Sequence, residues 1–187
     1  MSDARSILAA AVLLCGAVQA QPASWLDQAS PASWNEPGAA IPTAPRAEGN
    51  DDPRCRAQAR PPQLRADRLL RNRGWDLVGA YQGGWNALVI AGTAAYDGMC
   101  RPLQYQYFVF VHGRFAGTLS PRPMDSRTDG ALGRVWLQSG TRLIAEYLRY
   151  APDDALCCAS RTTRVDFELS AAEALVRPLS AATSENR

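Results

Sequence analysis

Lysine is absent from this chain of 187 residues, and histidine occurs once, at His112. Without lysine there is no Schiff-base chemistry and no Ser-Lys nucleophile pair. No Gly-x-Ser-x-Gly turn is present to carry a hydrolase serine. No Cys-x-x-Cys occurs, and the one histidine is far along the chain from the adjacent cysteines, so the usual zinc spacings are missing. The EF-hand calcium pattern is missing too. After the first twenty residues no apolar run is long enough to span a bilayer. Charge of one sign is also scarce: the formal net charge is +2, and the arginines read as scattered along the chain. That balance argues against an electrostatic nucleic-acid binder and against a polybasic membrane-surface protein.

What is present begins with an address. Arg5 precedes the apolar run Ile7–Leu14, and Val18-Gln19-Ala20 supplies a small-x-small cleavage signal. Residues 1–20 therefore read as a secretory signal peptide cleaved after Ala20, giving a periplasmic or secreted protein. Lipid anchoring at Cys15 is the second reading of the same segment. Residues 21–53 are rich in Pro, Ala, Ser and Gly and read as a flexible tether. Within it Trp25 and Trp34 are expected to make partial, local packing; docking on the domain or on a partner is the alternative reading. A β domain is expected over 54–179 and a disordered tail over 180–187.

The body of the domain reads as mainly β. A short helix is expected over Gln63–Arg73, stopped by Gly74. Strands are expected at Trp75–Tyr81, at Asn86–Ile90 after a Gly83-Gly84 turn, and at Gln104–Val111. The second half of Gln104–Val111 is apolar on both faces, which points to a central position. His112-Gly113 turns the chain into Phe115–Leu119. Further strands are expected at Gly133–Gln138, Arg142–Tyr150 and Thr163–Leu169. The last of these alternates cleanly, with Val165, Phe167 and Leu169 on one face. Ser170 and Glu173 have capping-box spacing, so a short C-terminal helix is one reading and a strand through Leu175-Val176 the other. Together these elements predict an antiparallel sheet curled into a sandwich or half-barrel.

Under soluble release the mature chain keeps Cys55, Cys100, Cys157 and Cys158. In an oxidising compartment an even count reads as two disulfides. Of the three possible pairings, joining Cys157 to Cys158 closes an eight-membered ring. The expectation is one bond from each of the adjacent pair to Cys55 and Cys100, in an order the sequence leaves open.

The loop Pro121–Gly130 is polar, and Asp125, Ser126, Arg127 and Asp129 form a candidate binding loop. Asp125, Ser126 and Asp129 offer oxygens that could hold calcium; a structured turn with aspartate caps is the plainer reading. Tyr105 and Tyr107 share a strand face and, with Arg101 and Arg122, could present an aromatic and basic surface. A half-buried sheet face is the alternative. His112 reads as an exposed turn residue.

From Asp97 the chain runs Asp-Gly-Met-Cys-Arg-Pro-Leu-Gln-Tyr-Gln-Tyr-Phe-Val-Phe, then His112-Gly113-Arg114-Phe115-Ala116-Gly117-Thr118, and later Asp153-Asp154-Ala155-Leu156-Cys157-Cys158. These segments resemble the LppP/LprE family of bacterial envelope lipoproteins, over roughly Trp75 to Leu169. The chain departs from that family at its front, where leucines precede Cys15. The resemblance implies an envelope location and no assigned catalytic activity. It offers no active-site residues to carry over.

The expected function is a non-enzymatic binding or structural domain of the envelope, without cofactor or metal, recognising another envelope protein or a cell-wall component. The alternatives are a small hydrolase using Asp125 and Asp129 for acid–base work, and an inhibitor that inserts the Pro121–Gly130 loop into an envelope enzyme.

Overall fold

A computed structural model describes residues 24–46 and 52–186. The signal peptide, its cleavage after Ala20 and the anchoring question at Cys15 lie outside the described residues. Two short helices, α1 (Pro53–Arg56) and α2 (Arg65–Arg71), precede eight strands. These are β1 (Asp76–Gly84), β2 (Ala87–Tyr96), β3 (Pro102–Val111), β4 (Arg114–Thr118), β5 (Ala131–Leu137), β6 (Arg142–Arg149), β7 (Arg161–Ser170) and β8 (Leu175–Glu185). They form two four-stranded antiparallel sheets, ordered β1-β2-β3-β4 and β5-β6-β7-β8. The sheets stack as a sandwich and do not close into a barrel.

Alternation along β3 explains why it sits inside its sheet. Tyr105, Val109 and Val111 face the second sheet, where they join Leu132, Leu143, Tyr147, Val165, Phe167 and Leu169. Phe108 and Phe110 face the other way, under Leu70 of α2, Trp75 and Leu77. A strand covered on both faces has no polar side to show, as the sequence of its second half requires. The turns follow the residues' tolerance for positive φ. His112 (φ 49°) and Gly113 (φ 74°) make a tight two-residue turn. The β1–β2 turn falls at Trp85 (φ 50°) and Asn86 (φ 62°), not at Gly83-Gly84, which remain paired in β1.

Residues 24–46 correct the expectation of a flexible tether. They form a strap laid across the sandwich, and Leu26 is 2% exposed. Trp25 packs edge-on against Tyr147 with ring centroids 5.1 Å apart, and Trp34 against Phe167 at 6.2 Å. Asp27 pairs with Arg149, whose side chain is 5% exposed. Ala181 of β8 donates its N–H to Ala29 at 2.9 Å, Trp75 its indole N–H to Pro42 at 2.8 Å, and Ala44 its N–H to Arg73 at 2.8 Å. Composition suggested a spacer, but three large apolar side chains and a sequence of backbone partners outweigh the ordering entropy of that segment.

The far end needs the same correction. Residues 180–185 continue β8 in register with β7, pairing Asp166 with Ser180 and Arg161 with Glu185. The C-terminal helix does not form. Ser170 does accept the N–H of Glu173, but inside the turn that joins β7 to β8.

The cysteines pair differently from the expectation. Cys55 of α1 bonds Cys100 in the β2–β3 turn, with Cα atoms 4.9 Å apart, and Cys157 bonds Cys158. The reason is placement: Cys55 and Cys100 both belong to the first sheet and its cover, while Cys157 and Cys158 lie exposed in the β6–β7 turn of the second sheet. The two bonds do different physical work. The first closes a 45-residue separation and should contribute about 2–4 kcal/mol by restricting the unfolded chain. The second joins neighbours and restricts almost nothing.

Candidate functional site

A sandwich of two sheets has two seams, where edge strands of one sheet meet those of the other. Here β4 lies against β8 on one side and β1 against β5 on the other. The β1/β5 seam contains a crevice of about 550 Å³. Its walls include Val78, Gly79, Ala80 and Gln82 of β1, Tyr107 of β3, and Gly133 to Val135 of β5.

Both walls are open because both edge strands are interrupted. Val78 pairs with Ala91 and Gln82 with Val89, so Gly79, Ala80 and Tyr81 bulge out of the ladder. Gly79 makes this bend at φ 64°, where a side chain would be strained. On β5 the register shifts between Leu132 and Arg134, at Gly133. The floor is apolar, with Val89 and Ala91 buried. One bond crosses the mouth, from the Gln82 side-chain amide N–H to the Val135 carbonyl at 2.5 Å. The phenol of Tyr107 lines the interior, and burial raises its pKa, so at neutral pH it is a protonated donor. The crevice surface mixes apolar side chains with the polar groups of Gln82, Tyr107, Arg134 and the bulged backbone.

The expected aromatic and basic surface does not assemble. Tyr105 is 6% exposed between the sheets and donates its hydroxyl to Leu132 at 3.2 Å. Arg101 pairs with Asp97, and Arg122 stands exposed in the loop after β4. The half-buried sheet face is what forms.

The Pro121–Gly130 loop is laced to the domain. Met124 exchanges both backbone bonds with Tyr105, each at 2.8 Å. Asp125 accepts the N–H of Gln104 at 2.7 Å, and Ser126 donates its hydroxyl to Pro102 at 2.7 Å. Asp129 accepts from Arg149 at 2.8 Å and from the Tyr150 N–H at 3.0 Å. Arg127 is exposed, at φ 63°. Asp125 and Asp129 do line one notch, together with Trp25 of the strap. Both carboxylates accept from donors that shape the loop. Among the described residues no three His, Cys, Asp or Glu side chains come together as a metal-binding group. His112 is exposed at the β3–β4 turn and donates its backbone N–H to Asn86 at 2.7 Å.

Sequence reasoning missed Gln82 and the Gly79 bulge. The signal available was Gly79 within an otherwise regular strand pattern, since an isolated strand glycine often marks a bulge.

These features define an antiparallel β-sandwich with one open seam and no assembled catalytic constellation among the described residues. Residues 83–171 match the model of the LppP/LprE lipoprotein family, the family whose motifs the sequence resembles. The match runs from the end of β1 through β7 and leaves the strap, both helices and β8 outside it. No curated protein and no solved structure matched the chain. A lipoprotein family suggests an envelope protein, without a specific activity. No helix among the described residues is long and apolar enough to cross a membrane.

Proposed function

We propose that this protein is a non-enzymatic binding domain of the bacterial cell envelope, and that the β1/β5 crevice receives part of its ligand. The observation that supports this is the crevice itself. It combines an apolar floor, the protonated Tyr107 phenol and the bulged backbone of Gly79–Tyr81. Backbone out of the ladder offers donors and acceptors to an extended partner, so a peptide segment of another envelope protein or a cell-wall stem peptide fits it. The domain is exported and works outside the cytoplasm.

The test is a titration of the isotope-labelled domain with soluble cell-wall muropeptides, read by NMR. The expected result is shifts at Gly79–Gln82 and Arg134–Val135, weakened at least several-fold by Tyr107→Phe with Gln82→Ala. Shifts confined to the 120–130 notch, or cleavage of the added peptide that Asp125→Asn or Asp129→Asn abolishes, would replace the binding reading with the hydrolase one.

A further inference from the structure

The two disulfides differ in what their breaking would undo. Cys55 is 1% exposed, and its bond to Cys100 ties α1 to the β2–β3 turn across 45 positions. Cys157 and Cys158 are both exposed, and they are neighbours in the chain. A crosslink stabilises a fold chiefly by closing a loop in the unfolded chain. A bond between neighbours closes no such loop, so stability does not account for this one.

The turn that carries the pair is secured without it. Residues 150–160 join β6 to β7. Asp154 accepts the N–H of Ala151 at 2.7 Å and that of Ser160 at 2.8 Å, one from each arm of the turn. Asn186, just past β8, clamps the returning arm. It donates its backbone N–H to the Ser160 carbonyl and its side-chain amide to the Ala159 carbonyl, both at 2.8 Å. The Tyr150 hydroxyl donates to the Leu156 carbonyl at 3.2 Å, and the Cys158 N–H to the Ala155 carbonyl at 2.8 Å. None of these bonds involves sulfur. Opening the disulfide would therefore free the tip, residues 155–158, and leave the base of the turn in place.

The tip itself faces outward. Ala155, Leu156, Cys157 and Cys158 are all exposed, with Leu156 at 63%. Both sulfur-bearing residues are thus within reach of a reactive group carried on another protein.

We propose that Cys157–Cys158 is a reversible redox site, reduced by the dithiol of an envelope thiol–disulfide exchange protein and closed again by a disulfide of the same class. A thiolate of the dithiol attacks one exposed Sγ, the Cys157–Cys158 bond breaks, and the leaving sulfur takes up a proton. The partner's second thiol gives up its proton and displaces the remaining cysteine from the mixed disulfide, and that cysteine is protonated in turn. This chain gains two electrons and two protons as two thiols, and the partner gains one disulfide. Exposed disulfides are the ones that exchange in this way, and the buried Cys55 bond stays out of it. The reduced state exchanges a closed eight-membered ring for two free side chains, which loosens the tip that presents Leu156. The pair shares no residue with the β1/β5 crevice, so this site stands or falls separately from the proposed function.

The experiment uses the purified chain with its disulfides intact. Dithiothreitol at graded ratios to its oxidised form is the first probe, and thioredoxin, a protein dithiol, is the second. Samples are quenched in acid, alkylated, weighed intact and mapped by peptide. Cys157 and Cys158 should be alkylated together, and at least about tenfold faster than Cys55 and Cys100, which wait for an opening of the fold. Oxidised dithiothreitol should restore the starting mass. Amide NMR shifts between the two states should be confined to residues 154–160. Cys157→Ser with Cys158→Ser should move Tm by less than about 2 °C. Cys55→Ala with Cys100→Ala should lower it by about 4–16 °C. A native map that joins Cys100 to Cys157 or Cys158 overturns the proposal. So does reduction of both bonds at one rate, a pair that stays open in oxidised dithiothreitol, or shifts that spread through β6 and β7 on reduction. A pair that opens to dithiothreitol and stays closed to thioredoxin removes the protein partner, and with it the proposal.

Discussion

The two seams of the sandwich are built in opposite ways. At β4/β8 the strap inserts Asn35 between the sheets. Its side-chain amide donates to the carbonyls of Thr118 at 2.9 Å and Val176 at 3.0 Å, and its oxygen accepts the Thr118 N–H at 2.9 Å. One side chain thus joins the last residue of β4 to β8, and Trp34 adds indole donation to the Thr118 carbonyl at 3.2 Å. At β1/β5 the only comparable link described is Gln82 to Val135, across a crevice. One edge is covered by the strap, and the other is left bulged with its backbone out of the ladder.

That contrast can be broken at several places. The largest effect is expected at Gly117. Its φ is +132°, and a Cβ there would lie 2.3 Å from Asn35 Cγ, so Gly117→Ala should strain the backbone and displace the strap. A loss of about 3 kcal/mol in chemical denaturation is expected. Asn35→Ala leaves the Thr118 N–H and two carbonyls without this partner and should cost about 2 kcal/mol. In both variants hydrogen exchange should accelerate along β8 and not along β2, and equal acceleration on both sides would erase the distinction between the seams. Gln82→Ala should cost less than about 1 kcal/mol, because the open seam already admits water.

On the closed side acid acts through Asp27, with the smallest effect of the set. The Arg149 hydrogen bond, outweighing partial burial, lowers the pKa of Asp27 below its ordinary 3.8. A carboxylate lowered on folding stabilises above its unfolded pKa, and that contribution disappears as pH falls through the lowered value. Tryptophan fluorescence of Trp25 and Trp34 should therefore hold steady down to about pH 4 and change below it, before global unfolding. A change centred above pH 5 would show that another group governs the strap.

Much of the sandwich was legible from local chemistry. The alternation of Val165, Phe167 and Leu169 gave β7, and the two-faced apolar run gave β3 its central position. What escaped depended on residues far apart in sequence. Trp25 and Trp34 stood out, yet nothing local says that Tyr147 and Phe167 await them. Ser180 to Glu185 has weak strand propensity and forms a strand because β7 offers it a ladder. The cysteine pairing turned on which elements share a sheet, and ring closure was a poor guide to that.

The strap also has a kinetic consequence. Asn35 and its partners are 83 and 141 residues apart. During synthesis, residues 24–46 are made first and wait for β8 before they have anything to hold. Contacts of such long separation form late and slowly. The covered seam is thus a final latch, and until it engages, the exposed edges of β4 and β8 are the part of the nascent domain most open to pairing with a stranger.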